Sequence, residues 1–122
     1  MKYILLCMCL FSLLGCGTDT KTQQDTKPTT TANEQVKTEQ DARVMAAKQA
    51  LSSGDYAKAI EEATASIKYN PNNADAYSVR GFATALSGDT TKGLADTKKA
   101  YDLAPNNVAN YYNMAMVYKL QG

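Results

Sequence analysis

The strings Ser53-Gly54-Asp55 and Pro71-Asn72-Asn73 recur as Ser87-Gly88-Asp89 and Pro105-Asn106-Asn107, each displaced by 34 residues. A fixed period of that length means one supersecondary unit copied and stacked, so it constrains the fold more than any composition figure. Aligning residues 40–73 with 74–107 also pairs Asp41 with Asp75, Ala42 with Ala76 and Lys58 with Lys92, giving nine identities in 34 positions. Each unit reads as helix, turn, helix, turn. In the second, Asn72-Asn73 offers N-caps for a helix from about Ala74 to Leu86, which breaks at Ser87-Gly88. Asp89 then caps a helix to about Leu103. Pro105 disfavours the helical conformation at Ala104 and removes a backbone donor, so the chain turns. Gly54, Asp55 and Pro71 repeat this logic. Ala59, Ala63, Ser66 and Ile67 fall at helical spacing as a face of small side chains that lets helices approach closely, and Tyr77, Gly81 and Thr84 form a similar row.

These residues resemble the tetratricopeptide repeat, a 34-residue helical hairpin with an aromatic at position 4, Gly or Ala at 8, Tyr at 11, Gly-Asp at 15 and 16, Ala at 20 and 27, and Pro at 32. With position 1 at Gln40 and at Ala74, the second unit supplies Tyr77, Gly81, Gly88-Asp89, Ala100 and Pro105. The first supplies Ala47, Gly54-Asp55, Tyr56, Ala59, Ser66 and Pro71. A third copy opens at Val108 with Tyr111, Ala115 and Tyr118 at 4, 8 and 11, and reaches position 15 at Gly122. The resemblance implies an all-α fold of about two and a half repeats: residues 40–73, 74–107, and a last helix over 108–122. That last helix is expected to lay Tyr111, Met114, Ala115 and Tyr118 on the preceding hairpin, with Lys119 and Gln121 in solvent. A terminal capping helix and a chain truncated within a third repeat both fit it.

Three departures stand out: Arg43 replaces the aromatic at position 4, Arg80 occupies a normally apolar position 7, and Gly93 replaces Ala at 20. Arg80 must reach water or a carboxylate. Gly93 within a helix costs about 1 kcal/mol against Ala, so a looser second hairpin and a stabilising Gly93→Ala substitution are expected.

The amino terminus carries a second message. Lys2 precedes an apolar run, Tyr3 to Leu14, of 12 residues. Crossing a hydrocarbon core takes about 20 residues in helix, so the run suits the apolar region of a signal peptide. Leu13-Leu14-Gly15-Cys16 resembles a bacterial lipobox, which implies a signal peptide over 1–15, cleavage before Cys16 and lipidation of that cysteine with palmitate or similar acyl chains. Cys7 and Cys9 follow Leu6 and Met8, which are too large for the residue before a cleavage site, and both leave with the signal. The mature chain then has no free thiol. An ordinary secretory signal or an uncleaved anchor is the alternative. Residues 16–39, rich in Thr, Gln, Lys and Glu, read as a disordered tether. Its end-to-end distance is on the order of 25 Å.

Without Lys2 the chain has 12 basic and 12 acidic side chains, and no basic stripe that would track phosphates; no nucleic-acid partner is expected. Enzyme chemistry is also disfavoured. There is no histidine. The adjacent carboxylates Glu61 and Glu62 point about 100° apart on a helix, and no nucleophile motif of the G-x-S-x-G or S-x-x-K kind is present. No cofactor and no metal site are expected.

The family resemblance places function on the concave surface formed by the first helix of each unit. Positions 2, 5, 9 and 12 give a candidate partner groove of Val44, Lys48, Asp75, Ser78, Phe82, Tyr112, Met116 and Lys119. Phe82, Tyr112 and Met116 would take an apolar helix or extended peptide between Lys48, Asp75 and Lys119; the alternative is that Phe82 and Met116 seal the stack. The clamp that holds a chaperone's C-terminal carboxylate uses Lys at 5 and Asn at 9, and this chain has Val44 and Lys48, then Ser78 and Phe82. Only Asn113, at position 6, is an isolated match. The resulting expectation is a lipid-anchored adaptor of the cell envelope, serving assembly of an envelope, pilus or secretion complex through a protein or peptide partner. It would face the periplasm from the outer membrane in a two-membrane cell, or sit on the outer face of the plasma membrane otherwise. A small solute-binding or structural envelope lipoprotein is the competing reading.

Overall fold

The turns set the architecture. Gly54 and Gly88 have φ of 82° and 116°, a conformation open to glycine and strained for other residues. That reversal lets the amide of Asp55 donate to the carbonyl of Ala50 (2.9 Å) and, 34 residues on, the amide of Asp89 to the carbonyl of Thr84 (3.1 Å). Each aspartate then accepts the amide three residues ahead, from Lys58 at 3.1 Å and Lys92 at 3.0 Å, and so caps the next helix. Asn73 and Asn107 cap two other helices by accepting from Ala76 and Ala109. The repeated strings are therefore the helix stops and starts.

The computed structural model describes residues 32–122, and among these the fold is all-α. The helices are α1 (Ala32–Ser52), α2 (Tyr56–Tyr69), α3 (Ala74–Leu86), α4 (Thr90–Leu103) and α5 (Val108–Gln121). The expected signal peptide, Cys16 and the tether as far as residue 31 lie outside the described residues. The tether was expected to run to Glu39, but residues 32–39 belong to α1. Their Ala, Glu, Gln and Lys content carries little helix penalty, and the Glu39–Arg43 pair at 3.0 Å supports the turn that joins them to the rest of the helix. This first part of α1 is exposed throughout.

α1 with α2 and α3 with α4 form hairpins, and α5 packs on both α3 and α4. α1 also touches α3, whereas α2 and α4 do not meet. The first helices of the units therefore make a contiguous layer of α1, α3 and α5, and the second helices splay apart behind it. The core is built from small residues: Ala47, Ala50, Ala59, Ala63, Val79 and Ala83, with Leu51, Tyr56 and Ile60 packed against them. Side chains this short bring helix axes close together, so contact replaces bulk as the source of cohesion.

The second hairpin is tighter than expected, not looser. A Cβ built on Gly93 would lie 2.6 Å from the carbonyl oxygen of Gly81 and 2.9 Å from the amide of Ala85. One on Gly81 would lie 2.7 Å from both the Gly93 carbonyl oxygen and the Thr97 amide. The two glycines face each other where α3 and α4 cross, and most of the obstructing atoms are backbone, with Ala85 Cβ and Thr97 Cγ2 beside them. This overturns the expected benefit of Gly93→Ala, because the helix-propensity gain of about 1 kcal/mol is outweighed by steric conflict at the crossing.

The other departures have partners. Arg80 donates from Nε and a terminal nitrogen to both carboxylate oxygens of Asp96, at 2.7 and 2.9 Å, and lies over the Tyr77 ring. This two-pronged bond raises the guanidinium pKa against the opposing effect of burial. Arg43 ties α1 to α2 by bonding Glu62 (3.3 Å) and lying over the ring of Tyr69. It thus covers the end of α2 as the expected aromatic would.

The last helix departs furthest. Its buried side chains are Asn110 and Val117, with Asn113 and Met114 half-buried. Asn110 donates to the carbonyl of Ala100 at 3.3 Å, a second hydrogen bond on an oxygen that already accepts from the Ala104 amide at 3.1 Å, and so ties α5 to the end of α4. Of the four residues expected on the preceding hairpin, Met114 is half-buried and the Tyr111 ring meets Tyr101 of α4 with centroids 6.4 Å apart. Tyr111 is 58% exposed, Tyr118 50% exposed, and Ala115 is exposed. Positions 4, 8 and 11 are covered by the second helix of the same unit in the complete hairpins, and no described helix lies there on α5.

Candidate functional site: the groove across the first helices

Polar side chains join the layer of α1, α3 and α5. Lys48 of α1 donates from Nζ to Asp75 of α3 at 2.6 Å, and the other oxygen of Asp75 accepts from the Asn107 amide at 3.5 Å. Further along, the Asn113 amide of α5 donates to the Ser78 hydroxyl of α3 at 2.9 Å. The helices present these groups because positions 2, 5, 6 and 9 fall on one side at a period of 3.6 residues. Lys48 and Asp75 are both about half exposed, so their pair orients the surface and contributes little stability.

The Lys48–Asp75 bridge divides the groove. On one side lies a recess of about 630 Å³ lined by Gln40, Asp41, Val44, Met45 and the Asn70 to Asp75 turn. On the other lies one of about 410 Å³ lined by Leu51, Ser52, Ser78, Val79, Asn107, Ala109, Asn110 and Asn113. Both are shallow and open to solvent, a form that suits a segment laid across the surface better than an enclosed small molecule.

Four of the eight candidate residues are therefore brought together. Val44, Lys48 and Asp75 border the larger recess, and Lys48, Asp75 and Ser78 the smaller. Val44 (6% exposed) and Ser78 (4%) form floor rather than accessible wall. Phe82 and Met116 are half-buried and Tyr112 and Lys119 exposed, and none of these four borders either recess. Recesses open where the side chains are short, at Ser52, Ser78 and Ala109, while the larger Phe82 and Met116 occupy their own space. The recesses are thus lined by a mixture of apolar and amide groups, and Phe82, Tyr112 and Met116, expected to form an apolar slot, lie outside them.

The residues that sequence reasoning passed over are Ser52, Asn107 and Asn110. Asn107 was legible only as part of the repeated Pro-Asn-Asn string; it caps α5 while its amide reaches Asp75. Asn110 carried a usable signal, a polar residue at position 3 where the earlier units have Ala42 and Ala76. Among the described residues no group of three or more Asp and Glu is placed to hold a metal ion, and no helix is long and apolar enough to cross a membrane. No protein-family model matches the chain.

Proposed function

We propose that the chain is a tetratricopeptide-type adaptor that binds an extended peptide segment of a partner protein across α1, α3 and α5, held at the cell envelope by acyl chains on Cys16. The observation that carries this reading is the smaller recess, framed by Lys48, Asp75, Asn107 and Asn113 from three equivalent helices. Asn113 spends one N–H on Ser78, which leaves the chemistry of its second N–H and its carbonyl oxygen to match the alternating groups of an extended backbone. The 34-residue period, the Gly-Asp turns and the Pro-Asn-Asn turns support the family assignment. The short apolar run ending in Gly15-Cys16 supports the anchor, and multiple acyl chains suffice for stable membrane attachment.

Photo-crosslinking in the native host tests the groove. A crosslinker at Ser52 or Ala109, which border the recess, is expected to give the same discrete adduct. One at Lys98 on the outer side of α4 is expected to give none, and Asn113→Asp is expected to remove the first. Equal adducts from both faces, or none from the groove, would reject the reading. Incorporation of labelled palmitate that disappears with Cys16→Ser tests the anchor separately.

A further inference from the structure

Two of the ion pairs between helices are built differently. Arg80 fills both carboxylate oxygens of Asp96, at 2.7 and 2.9 Å. Lys48 bonds one oxygen of Asp75 at 2.6 Å, and the other oxygen has only the Asn107 amide, at 3.5 Å. The Asp75 carboxylate can accept a two-pronged donor and is half used, at a place that borders both recesses.

Around it, five side chains of the smaller recess already donate within the protein. Lys48 and Asn107 donate to Asp75, Asn110 to the Ala100 carbonyl, Asn113 to the Ser78 hydroxyl, and Ser52 to the Lys48 carbonyl. The side-chain oxygens of Asn110 and Asn113 accept no hydrogen bond among the described residues, and Asn110 is held in place by burial, 1% exposed. Acceptor oxygens beside a half-used carboxylate suit a group that donates several hydrogen bonds, carries positive charge and needs no acceptor. A guanidinium is such a group, with five N–H donors in a planar fork.

Resting on the reading that the groove binds an extended segment, we propose that Asp75, Asn110 and Asn113 form a subsite for an arginine side chain of that segment, with Lys48 as the chain's own stand-in for it. Lys48 holds the cation position by one hydrogen bond and is half exposed, so its pair contributes little and opens readily. An arriving guanidinium takes both oxygens of Asp75, as Arg80 does on Asp96, and Lys48 turns into solvent. A lysine of the segment would gain no more than Lys48 already provides. A ligand carboxylate on Lys48 would instead meet the like charge of Asp75 and leave the Asn110 and Asn113 oxygens unused.

The probe is a capped five-residue peptide, arginine between two pairs of alanines, titrated into the isotope-labelled full chain and followed through the side-chain amide signals of Asn110 and Asn113. Saturable shifts are expected. Citrulline in place of the arginine keeps the shape and removes the charge, and it is expected to weaken binding about tenfold, as is Asp75→Asn in the chain. Lys48→Met is expected to tighten binding about threefold by removing the competitor, which loss of a purely structural bridge would not do. Both residues are at the surface, so unchanged thermal unfolding of the variants separates lost binding from lost folding. Shifts that do not saturate, citrulline that binds as well as arginine, or weaker binding to Lys48→Met overturns the proposal. A discrete crosslinked adduct in the groove without arginine preference removes the subsite and leaves the adaptor reading standing. Arginine preference without an adduct keeps the subsite and removes the adaptor reading.

Discussion

The α3–α4 hairpin and α5 share the register positions 4, 8 and 11, with tyrosine at position 4 of both, and these positions have different surroundings. Tyr77, Gly81 and Thr84 lie under α4, where two glycines face each other at backbone contact. Ala115 and Tyr118 are exposed, and Tyr111, though 58% exposed, meets Tyr101 of α4. The difference shows that a repeat's sequence specifies a face able to receive a helix, and the neighbour alone determines whether that face is core or surface.

The strongest way to break the comparison is at the glycine crossing. Gly93→Ala is expected to lower stability by about 2–3 kcal/mol and the melting temperature by roughly 10 °C, because the new methyl meets backbone that cannot rotate away. Thermal unfolding followed by circular dichroism decides it, and an unchanged or raised midpoint would mean that α3 and α4 are not in close contact there.

Next in size is the matched pair Tyr77→Ser and Tyr111→Ser. The same substitution at the same position is expected to cost about 2 kcal/mol on α3, where the ring packs beside Arg80, and about 1 kcal/mol or less on α5, where the half-exposed ring meets Tyr101. Equal losses in urea unfolding would show that α5 is covered after all. Asp96→Ala comes third. It strips Arg80 of its carboxylate inside the closed hairpin and is expected to cost about 1–2 kcal/mol, with Asp96→Asn costing less.

The smallest effect concerns the cap of α4. The Lys92 amide hydrogen bond, helped by the Lys92 side chain, lowers the pKa of Asp89. A carboxylate whose folded pKa lies below its unfolded value contributes stability that is present above the unfolded value and lost as pH falls through the folded one. Asp89→Asn keeps the capping oxygen but cannot titrate, so it is expected to flatten the acid limb of the urea midpoint between neutral pH and about pH 2 without altering the neutral plateau's cooperativity. An identical acid limb in the variant would remove Asp89 from the account.

Much of the fold was legible because its determinants are local. A glycine at positive φ, an aspartate three residues before the amide it accepts and a proline that cannot continue a helix act within a few residues of chain, and the limits of α3, α4 and α5 followed from them. The start of α1 was less legible. Residues 32–39 bury almost nothing, and composition that discourages a core does not by itself prevent helix. The groove was legible as a set of register positions but not as a shape. Val44 and Ser78 were placed on the correct face yet are closed over by neighbouring helices, and the amides that border the smaller recess were hidden behind their capping and packing roles.

The sequence by itself determined the period, the helix limits and the small-residue rows, since these depend on backbone preferences and hydrogen bonds between residues a few positions apart. Only the tertiary structure decided that Gly81 and Gly93 meet at backbone distance, that Arg80 finds Asp96, that Lys48 finds Asp75 across 27 residues, and that one of three equivalent faces has no covering helix among the described residues. The reason is that burial and pairing belong to surfaces brought together by the chain's path, and identical residues acquire different surroundings when one face has a neighbour and another does not.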